Sequence, residues 1–246
     1  MKKIFICFAI WLVCVAEGTA ADKIIKIVDS PWLPYYGQFL PNYGLVPEIV
    51  TAAYTQTGYT PKYNVMSWSR ALKELKNGKY DAVVTASYTE ERAKIYLYSE
   101  SYMASPIVFF KRKESPITWN TLDDLKNYKI AVLKGYSYSP DFDASSLRKV
   151  IARSDVLSFK KLYYKQADLV VMDQVVGHYI LTNKMIGAER DAVPLQPPLY
   201  TDKLYLMFSK KIPNVKEKIK AFNEGLKVIK SNGTFSRILA KHGIFQ

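Results

Sequence analysis

A group of hydroxyl and charged side chains follows a short apolar run at residues 82–84 and could bind a carboxylate. Thr85 and Ser87 lie where the predicted strand ends, and Arg92 follows in a helix-like turn. A guanidinium offers a planar pair of donors that matches both oxygens of a carboxylate. The alternative is that Arg92 is a surface arginine paired with Glu90 or with solvent, which is the common place for an arginine on a helix.

A second apolar run, at residues 169–172, ends in the acidic residue Asp173. Asp173 directly precedes a predicted helix over 174–183. Ligands of open α/β sheets bind at the carboxyl ends of the strands. If two such ends face each other, Arg92 could hold a carboxylate and Asp173 an ammonium group. Asp173 could equally cap the helix that begins after it, and the two roles are compatible.

Apolar periodicity predicts an α/β chain in which helices alternate with strands. The strands are predicted, in chain order, at 23–28, 59–66, 82–84, 107–110, 129–133, 167–173 and 204–208. A short helix is predicted at 121–126, and the part after 209 is predicted to be helical.

The same pattern divides the chain into two units that are joined by two crossings, near 106–112 and 203–209. We therefore expect lobe 1 at 21–109 and 204–246, and lobe 2 at 110–203. The space between two such lobes is where a small ligand is expected to bind.

The first twenty residues have the pattern of a secretory signal peptide. Lys2 and Lys3 precede an apolar stretch over 4–16, and small residues lead up to Ala20. This stretch is too short to span a membrane with its flanks. We expect cleavage after Ala20 or Ala21 and a periplasmic location. Both cysteines lie inside this segment, so the mature chain has no disulfide.

Charge and composition argue against several classes of function. The chain carries a formal net charge of +13, but its basic residues are scattered rather than gathered in an arginine-rich arm, so no nucleic-acid partner is expected. The two histidines, His178 and His242, are isolated, and neither a metal nor a cofactor is expected. No G-x-S-x-G motif or catalytic triad context is present, so the chain is not expected to be an enzyme.

The chain resembles the polar amino-acid family of periplasmic solute-binding proteins, the receptors of ATP-driven importers. The resemblance covers essentially all of the mature sequence. It rests on Thr-Glu-Glu-Arg at 89–92, Tyr-Ser-Glu-Ser-Tyr at 98–102, Ala-Asp-Leu-Val-Val-Met-Asp at 167–173 and Ser-Asn-Gly-Thr at 231–234. It implies the two-lobe type II periplasmic binding protein fold, in which each lobe is a mostly parallel sheet flanked by helices and two hinge strands join the lobes.

The resemblance also implies roles for individual residues. Arg92, the arginine of the T-x-x-R piece, is implied to grip the α-carboxylate of the ligand. Asp173 is implied to take the α-amino group, with Thr85 and Ser87 completing the amine site.

Five further residues are implied to contact the ligand. The turn at Tyr136 and Ser137 would donate to the carboxylate, Trp32 would cover the ligand, and Asp29 would lie near its side-chain end. Trp68 joins this set because the piece Ser-Trp-Ser-Arg at 67–70 is similar to a branch of the family with tryptophan and arginine there. The bulky Tyr136, where the family has a small hydroxyl residue, leaves open ligands other than standard α-amino acids.

The expected function is therefore that of a monomeric extracytoplasmic protein that closes two lobes around a polar amino acid or a similar small zwitterion or carboxylate. The resemblance implies an inner-membrane ABC permease as its partner. Two alternatives use the same fold: a stand-alone sensory or signalling receptor, and a cyclohexadienyl-dehydratase-like enzyme. The enzyme would need a general acid or base in the cleft, for which Glu48 and Glu100 are the candidates.

Overall fold

The computed structural model describes residues 23–134, 136 and 138–244. The predicted signal peptide at 1–20 therefore lies outside the described residues, as does Ser137. In the described part, strands alternate with helices as the apolar pattern predicts. No helix in these ranges is both long and apolar enough to cross a membrane.

The seven predicted strands are present, the crossing strands are longer than predicted, and three further strands, at 96–98, 148–152 and 192–194, were not predicted. The strands are β1 (Lys23–Asp29), β2 (Tyr59–Val65), β3 (Ala82–Ser87), β4 (Tyr96–Tyr98), β5 (Met103–Arg112), β6 (Lys129–Leu133), β7 (Arg148–Ala152), β8 (Leu169–Asp173), β9 (Ala192–Pro194) and β10 (Tyr200–Ser209). The α-helices are α1 (Leu45–Thr55), α2 (Trp68–Lys76), α3 (Glu90–Ile95), α4 (Pro140–Ala144), α5 (Asp155–Tyr163), α6 (Gln174–Asn183), α7 (Val215–Ser231) and α8 (Thr234–Lys241). The helix predicted at 121–126 is a shorter 3₁₀ turn, Leu122–Leu125.

These strands form one mixed sheet in the order β2-β1-β3-β10-β5-β8-β6-β7, while β4 pairs with β10 and β9 pairs with β5. The pairs of β1 with β2 and β3, and of β6 with β7 and β8, are parallel. The pairs that involve β5 or β10 are antiparallel. The sheet thus contains two groups of parallel strands, which suit strand–helix–strand connections, and β5 and β10 lie between the two groups.

Strands β5 and β10 run through the middle of the sheet and pair with both groups. The N-terminal half of β5 pairs with β10 in a register that runs from Met103–Leu204 to Ile107–Tyr200, and its C-terminal half pairs with β8. The C-terminal half of β10 pairs with β3 and β4. The division into lobe 1 (21–109 and 204–246) and lobe 2 (110–203) stays a prediction, with which this pairing is compatible.

The core on one side of the sheet depends on close packing of α1 against α7. The Tyr54 hydroxyl donates to the Lys218 carbonyl oxygen at 3.1 Å, and the Tyr54 ring centroid lies 5.5 Å from that of Phe222. A Cβ atom built on Gly225 would lie 1.9 Å from the carbonyl oxygen of Ala53. The two helix backbones therefore meet where only the hydrogen of a glycine fits.

Replacing Gly225 by alanine should lower the free energy of unfolding by roughly 1–3 kcal/mol, because the added methyl group forces α1 and α7 apart. Urea denaturation followed by circular dichroism measures the change. The control is Lys227→Ala on the exposed side of α7, which should change the free energy of unfolding by less than about 0.5 kcal/mol. A Gly225→Ala protein as stable as the wild type would contradict this close approach.

Candidate functional site

A cavity of about 510 Å³ opens where the end of β3 meets the crossing strands β5 and β10. Six of the nine residues predicted to bind a ligand line it: Trp32, Trp68, Thr85, Ser87, Arg92 and Tyr136. The other lining residues are Ser30, Pro31, Ser105, Ile107, Tyr200 and Asp202. A cavity of this size that is lined by polar groups and aromatic rings suits a small organic solute.

Arg92 is positioned by the start of its own helix. The Thr89 hydroxyl accepts a hydrogen bond from the Arg92 amide at 3.2 Å and so caps α3. The guanidinium donates from Nη1 to the Ser87 carbonyl oxygen at 3.2 Å, and its carbon lies 5.5 Å from the centroid of the Trp68 ring. Among the described residues, no carboxylate oxygen lies within 4.0 Å of this guanidinium. Most of its five N–H donors are therefore available to an anion in the cavity.

The hydroxyl groups of Thr85 and Ser87 already donate to carboxylates of the protein. Thr85 Oγ1 donates to Asp29 Oδ2 at 2.9 Å, and Ser87 Oγ donates to Asp202 Oδ2. Each hydroxyl has only one proton, so both oxygens can act toward a ligand only as acceptors. An acceptor suits the ammonium group of a ligand and not its carboxylate.

Asp29 is fully buried behind Thr85, and the structure does not bring it to the cavity wall. Its carboxylate accepts from the amides of Ser30 at 2.7 Å, Val84 at 3.0 Å and Thr85 at 2.8 Å, besides the Thr85 hydroxyl. Burial raises the pKa of Asp29, and these hydrogen bonds oppose the rise. The Asp29 carboxylate therefore binds the amides at the end of β3, and its predicted place near the side-chain end of a ligand stays a prediction.

Asp173 ends β8, is also buried, and is likewise not among the residues that line the cavity. Its Oδ1 accepts from the Val176 amide at 2.8 Å and so caps α6. The Tyr35 hydroxyl lies 3.0 Å from both carboxylate oxygens, and the Ser105 hydroxyl donates to Oδ2. Burial raises the pKa of Asp173 against these hydrogen bonds. The structure therefore shows the capping role, and the ammonium-binding role stays a prediction.

Trp32 belongs to a tight turn after β1. Backbone hydrogen bonds of 2.8 and 2.9 Å join Trp32 and Tyr36 in both directions. The Trp32 ring also packs on Tyr35, with centroids 4.4 Å apart. The turn therefore holds an aromatic ring at the cavity wall, where the resemblance places the residue that covers the ligand.

Tyr136 approaches the cavity from the other group of strands and is about half exposed, at 49%. Burial of its hydroxyl is the main reason that the pKa of Tyr136 is raised to about 12, and the negative charges of Asp155, Asp173 and Asp202 add to the rise. This hydroxyl therefore stays protonated near pH 7 and can donate a hydrogen bond. Ser137, the predicted second donor of this turn, lies outside the described residues.

A larger cavity of about 650 Å³ lies elsewhere, between α6 and the part of the chain that follows α8. None of the predicted ligand-binding residues lines it. Its carboxylate, Glu48, is bound by Lys241 Nζ at 2.8 and 2.9 Å. The cavity that contains Arg92 is therefore the candidate site.

Comparison with known proteins assigns the chain to a family. Residues 29–244 match the bacterial extracellular solute-binding proteins, family 3. The chain belongs to this family. Its members bind small amino-acid ligands and typically work with ABC transporter permeases. A comparison with curated protein sequences returns no match.

Solved structures of several binding proteins and of a sensor domain have the same fold. The probable amino-acid ABC transporter extracellular-binding protein ytmK from Bacillus subtilis has a TM-score of 0.74 at 17% identity over 90% of this chain and 97% of that chain. The second substrate binding domain of a putative amino acid ABC transporter from Streptococcus pneumoniae has a TM-score of 0.72 at 21% identity over 89% and 99%. A histidine kinase sensor domain with similarity to periplasmic binding proteins has a TM-score of 0.66 at 21% identity over 89% and 96%. The type II periplasmic binding protein fold predicted from the sequence is confirmed.

Sequence reasoning missed the contribution of the crossing strands to the cavity. Ser105 on β5, and Tyr200 and Asp202 on β10, lie before the points at which those strands were predicted to begin. Tyr200 and Asp202 are partly buried whereas Thr201 and Lys203 are exposed, but the sequence Tyr-Thr-Asp-Lys has no apolar alternation from which a strand could be predicted.

Replacing Asp29 by asparagine should lower the free energy of unfolding by about 1–3 kcal/mol, because an amide NH₂ group would then face buried donors at the end of β3. Chemical denaturation measures the loss. Asp123→Asn, at a side chain that is 77% exposed, is the control and should be nearly neutral. An Asp29→Asn protein of unchanged stability but altered ligand preference would instead support the predicted contact with the ligand.

Proposed function

We propose that this protein is an extracytoplasmic solute-binding protein that captures a polar amino acid, or a similar small zwitterion or carboxylate, in the cavity beside Arg92. In this proposal the mature protein is a periplasmic monomer without catalytic activity. It delivers the solute to an inner-membrane ABC permease. Membership in a family of solute-binding proteins supports the proposal.

The observation that carries the proposal is the guanidinium of Arg92. It lines a cavity of about 510 Å³, and among the described residues it has no carboxylate partner within 4.0 Å. A half-buried cation without a counter-charge is costly, and the cost is offset when an anionic ligand binds. The guanidinium carbon lies 5.5 Å from the centroid of the Trp68 ring, and both side chains line the cavity that a carboxylate would enter.

The positions of Glu48 and Glu100, the candidate acid–base groups of an enzyme, support a function in binding without catalysis. Glu48 lies at a different cavity and is paired with Lys241. Glu100 is exposed, its amide binds Asn223, and it is not among the residues that line the Arg92 cavity. Neither carboxylate can take or give a proton at a solute beside Arg92.

A sensory role is the second candidate, because a histidine kinase sensor domain has the same fold. In that case the bound solute would change a signalling partner and would not be transported. Measurement of radiolabelled solute uptake in cells that lack the gene separates the two roles. Uptake falls if the protein serves a permease, whereas a signalling receptor leaves uptake intact and changes the transcriptional response to the solute.

Replacing Arg92 by alanine should weaken binding by about 2–5 kcal/mol, because the ligand carboxylate loses its charged partner in a partly buried site. The measurement is isothermal titration calorimetry of the mature protein with the twenty standard amino acids. Arg237→Ala, which removes the same charge from the exposed side of α8, is the matched control and should bind like the wild type.

Two results would contradict the proposal in different ways. If Arg92→Ala binds as tightly as the wild type, the carboxylate site lies elsewhere. If the wild-type protein binds none of the amino acids and no simple carboxylate, the proposed class of solute is wrong.

A further inference from the structure

We infer that Asp202, and not Asp173, receives the cationic group of the bound solute. This inference rests on the proposed function and assigns the second half of the same site. Asp202 lies on β10 and lines the cavity together with Arg92. No role of Asp202 follows from the sequence pattern of the family pieces at 89–92, 98–102 and 167–173.

Ser87 links the two opposite charges of the cavity. Its carbonyl oxygen accepts a hydrogen bond from Arg92 Nη1 at 3.2 Å, while its hydroxyl donates to Asp202. A cation and an anion are thus held on the two sides of one residue, at the end of β3. A small zwitterion presents the complementary pair, with its carboxylate toward Arg92 and its ammonium toward Asp202.

Asp202 retains room for a further donor. Oδ1 accepts from the Lys203 amide at 2.8 Å, and Oδ2 accepts from Ser87. A carboxylate has about four acceptor positions, so about two remain. Among the described residues, no lysine, arginine or histidine nitrogen lies within 4.0 Å of this carboxylate. Its charge is therefore uncompensated at the wall of the cavity.

Asp173 has the opposite environment. Val176 donates to Oδ1, Ser105 donates to Oδ2, and the single hydroxyl proton of Tyr35 is shared between both oxygens at 3.0 Å. Three donors thus occupy three of about four acceptor positions, and Asp173 is buried and not among the residues that line the cavity. Asp173 is therefore more deeply buried and more fully hydrogen-bonded than Asp202, which has two donors and lies at the cavity wall.

The rings beside Asp202 also suit a cation. Burial raises the pKa of Tyr200 to about 12, and the negative charge of Asp202 adds to this rise. The charge of Asp202 also contributes to the raised pKa of Tyr136. Both phenols are neutral near pH 7. Tyr136 and Tyr200 line the same cavity as Asp202, and a neutral aromatic ring at such a wall can attract a cation to its face. The solute class is a small molecule that carries both a carboxylate and an ammonium group.

The competing interpretation is that Asp202 only orients Ser87. In that case, loss of its charge would weaken all solutes alike, whether or not they carry an ammonium group. The two interpretations are distinguished by comparing each amino acid with the carboxylic acid that lacks the α-amino group.

The test is calorimetry of the wild type, Asp202→Asn and Asp173→Asn with the twenty standard L-amino acids and their desamino counterparts. We expect Asp202→Asn to weaken the binding of amino acids at least roughly 30-fold. The binding of desamino acids should weaken less than about threefold. Asp173→Asn should keep amino-acid affinity within about fivefold. Thermal unfolding midpoints of all three proteins verify that each variant is folded.

Four outcomes would overturn the inference. If Asp202→Asn weakens the binding of amino acids and desamino acids equally, Asp202 only orients Ser87. Loss of amino-acid binding in Asp173→Asn but not in Asp202→Asn would assign the ammonium to Asp173. A wild type that binds desamino acids as tightly as amino acids would leave the proposed capture of carboxylates standing without an ammonium site. If the wild type binds neither set, both the proposed function and the inference are wrong.

Discussion

Strands β5 and β10 hydrogen-bond to each other over the register from Met103–Leu204 to Ile107–Tyr200, and the rest of the structure depends on this short ladder. One group of parallel strands is attached to β10 through β3, and the other is attached to β5 through β8. The ladder thus fixes the distance between the end of β3, which leads to Arg92, and the end of β8, which carries Asp173. It also supplies part of the cavity wall itself, because antiparallel neighbours direct alternate side chains to the same face.

In the proposed function, the two charges of the cavity give a physical reason for closure of the lobes to depend on a solute. Burying the Arg92 guanidinium or the Asp202 carboxylate in an empty, closed cavity would remove water without providing a partner, and such a loss costs several kcal/mol for each charge. A solute with matching charges removes that cost for both groups. A closed form would then be stabilised only when the cavity is filled, as the proposed function requires.

The sequence allowed the fold and one side of the site to be predicted. Apolar runs that end in polar residues identified β3 and β8, and the T-x-x-R piece identified Arg92, since these signals are local. The surroundings of Asp173 and Asp29 could not be read in the same way. Their burial follows from contacts with Tyr35 and with the end of β3, which are distant in sequence. The polar part of β10 was missed because a strand with alternate exposed residues lacks an apolar run.

The hydrogen bonds between Tyr35 and Asp173 span 138 residues of sequence and join the turn after β1 to the end of β8. Both groups are buried, and neither is among the residues that line the cavity. Any rotation of one group of strands against the other about the β5–β10 ladder must preserve or break this contact. If the empty protein exchanges between conformers, as the proposed function requires, this contact would help to set their populations. Apparent affinity depends on the population of the binding-competent conformer, so a change at Tyr35, which does not line the cavity, would then alter affinity without altering which solute is recognised.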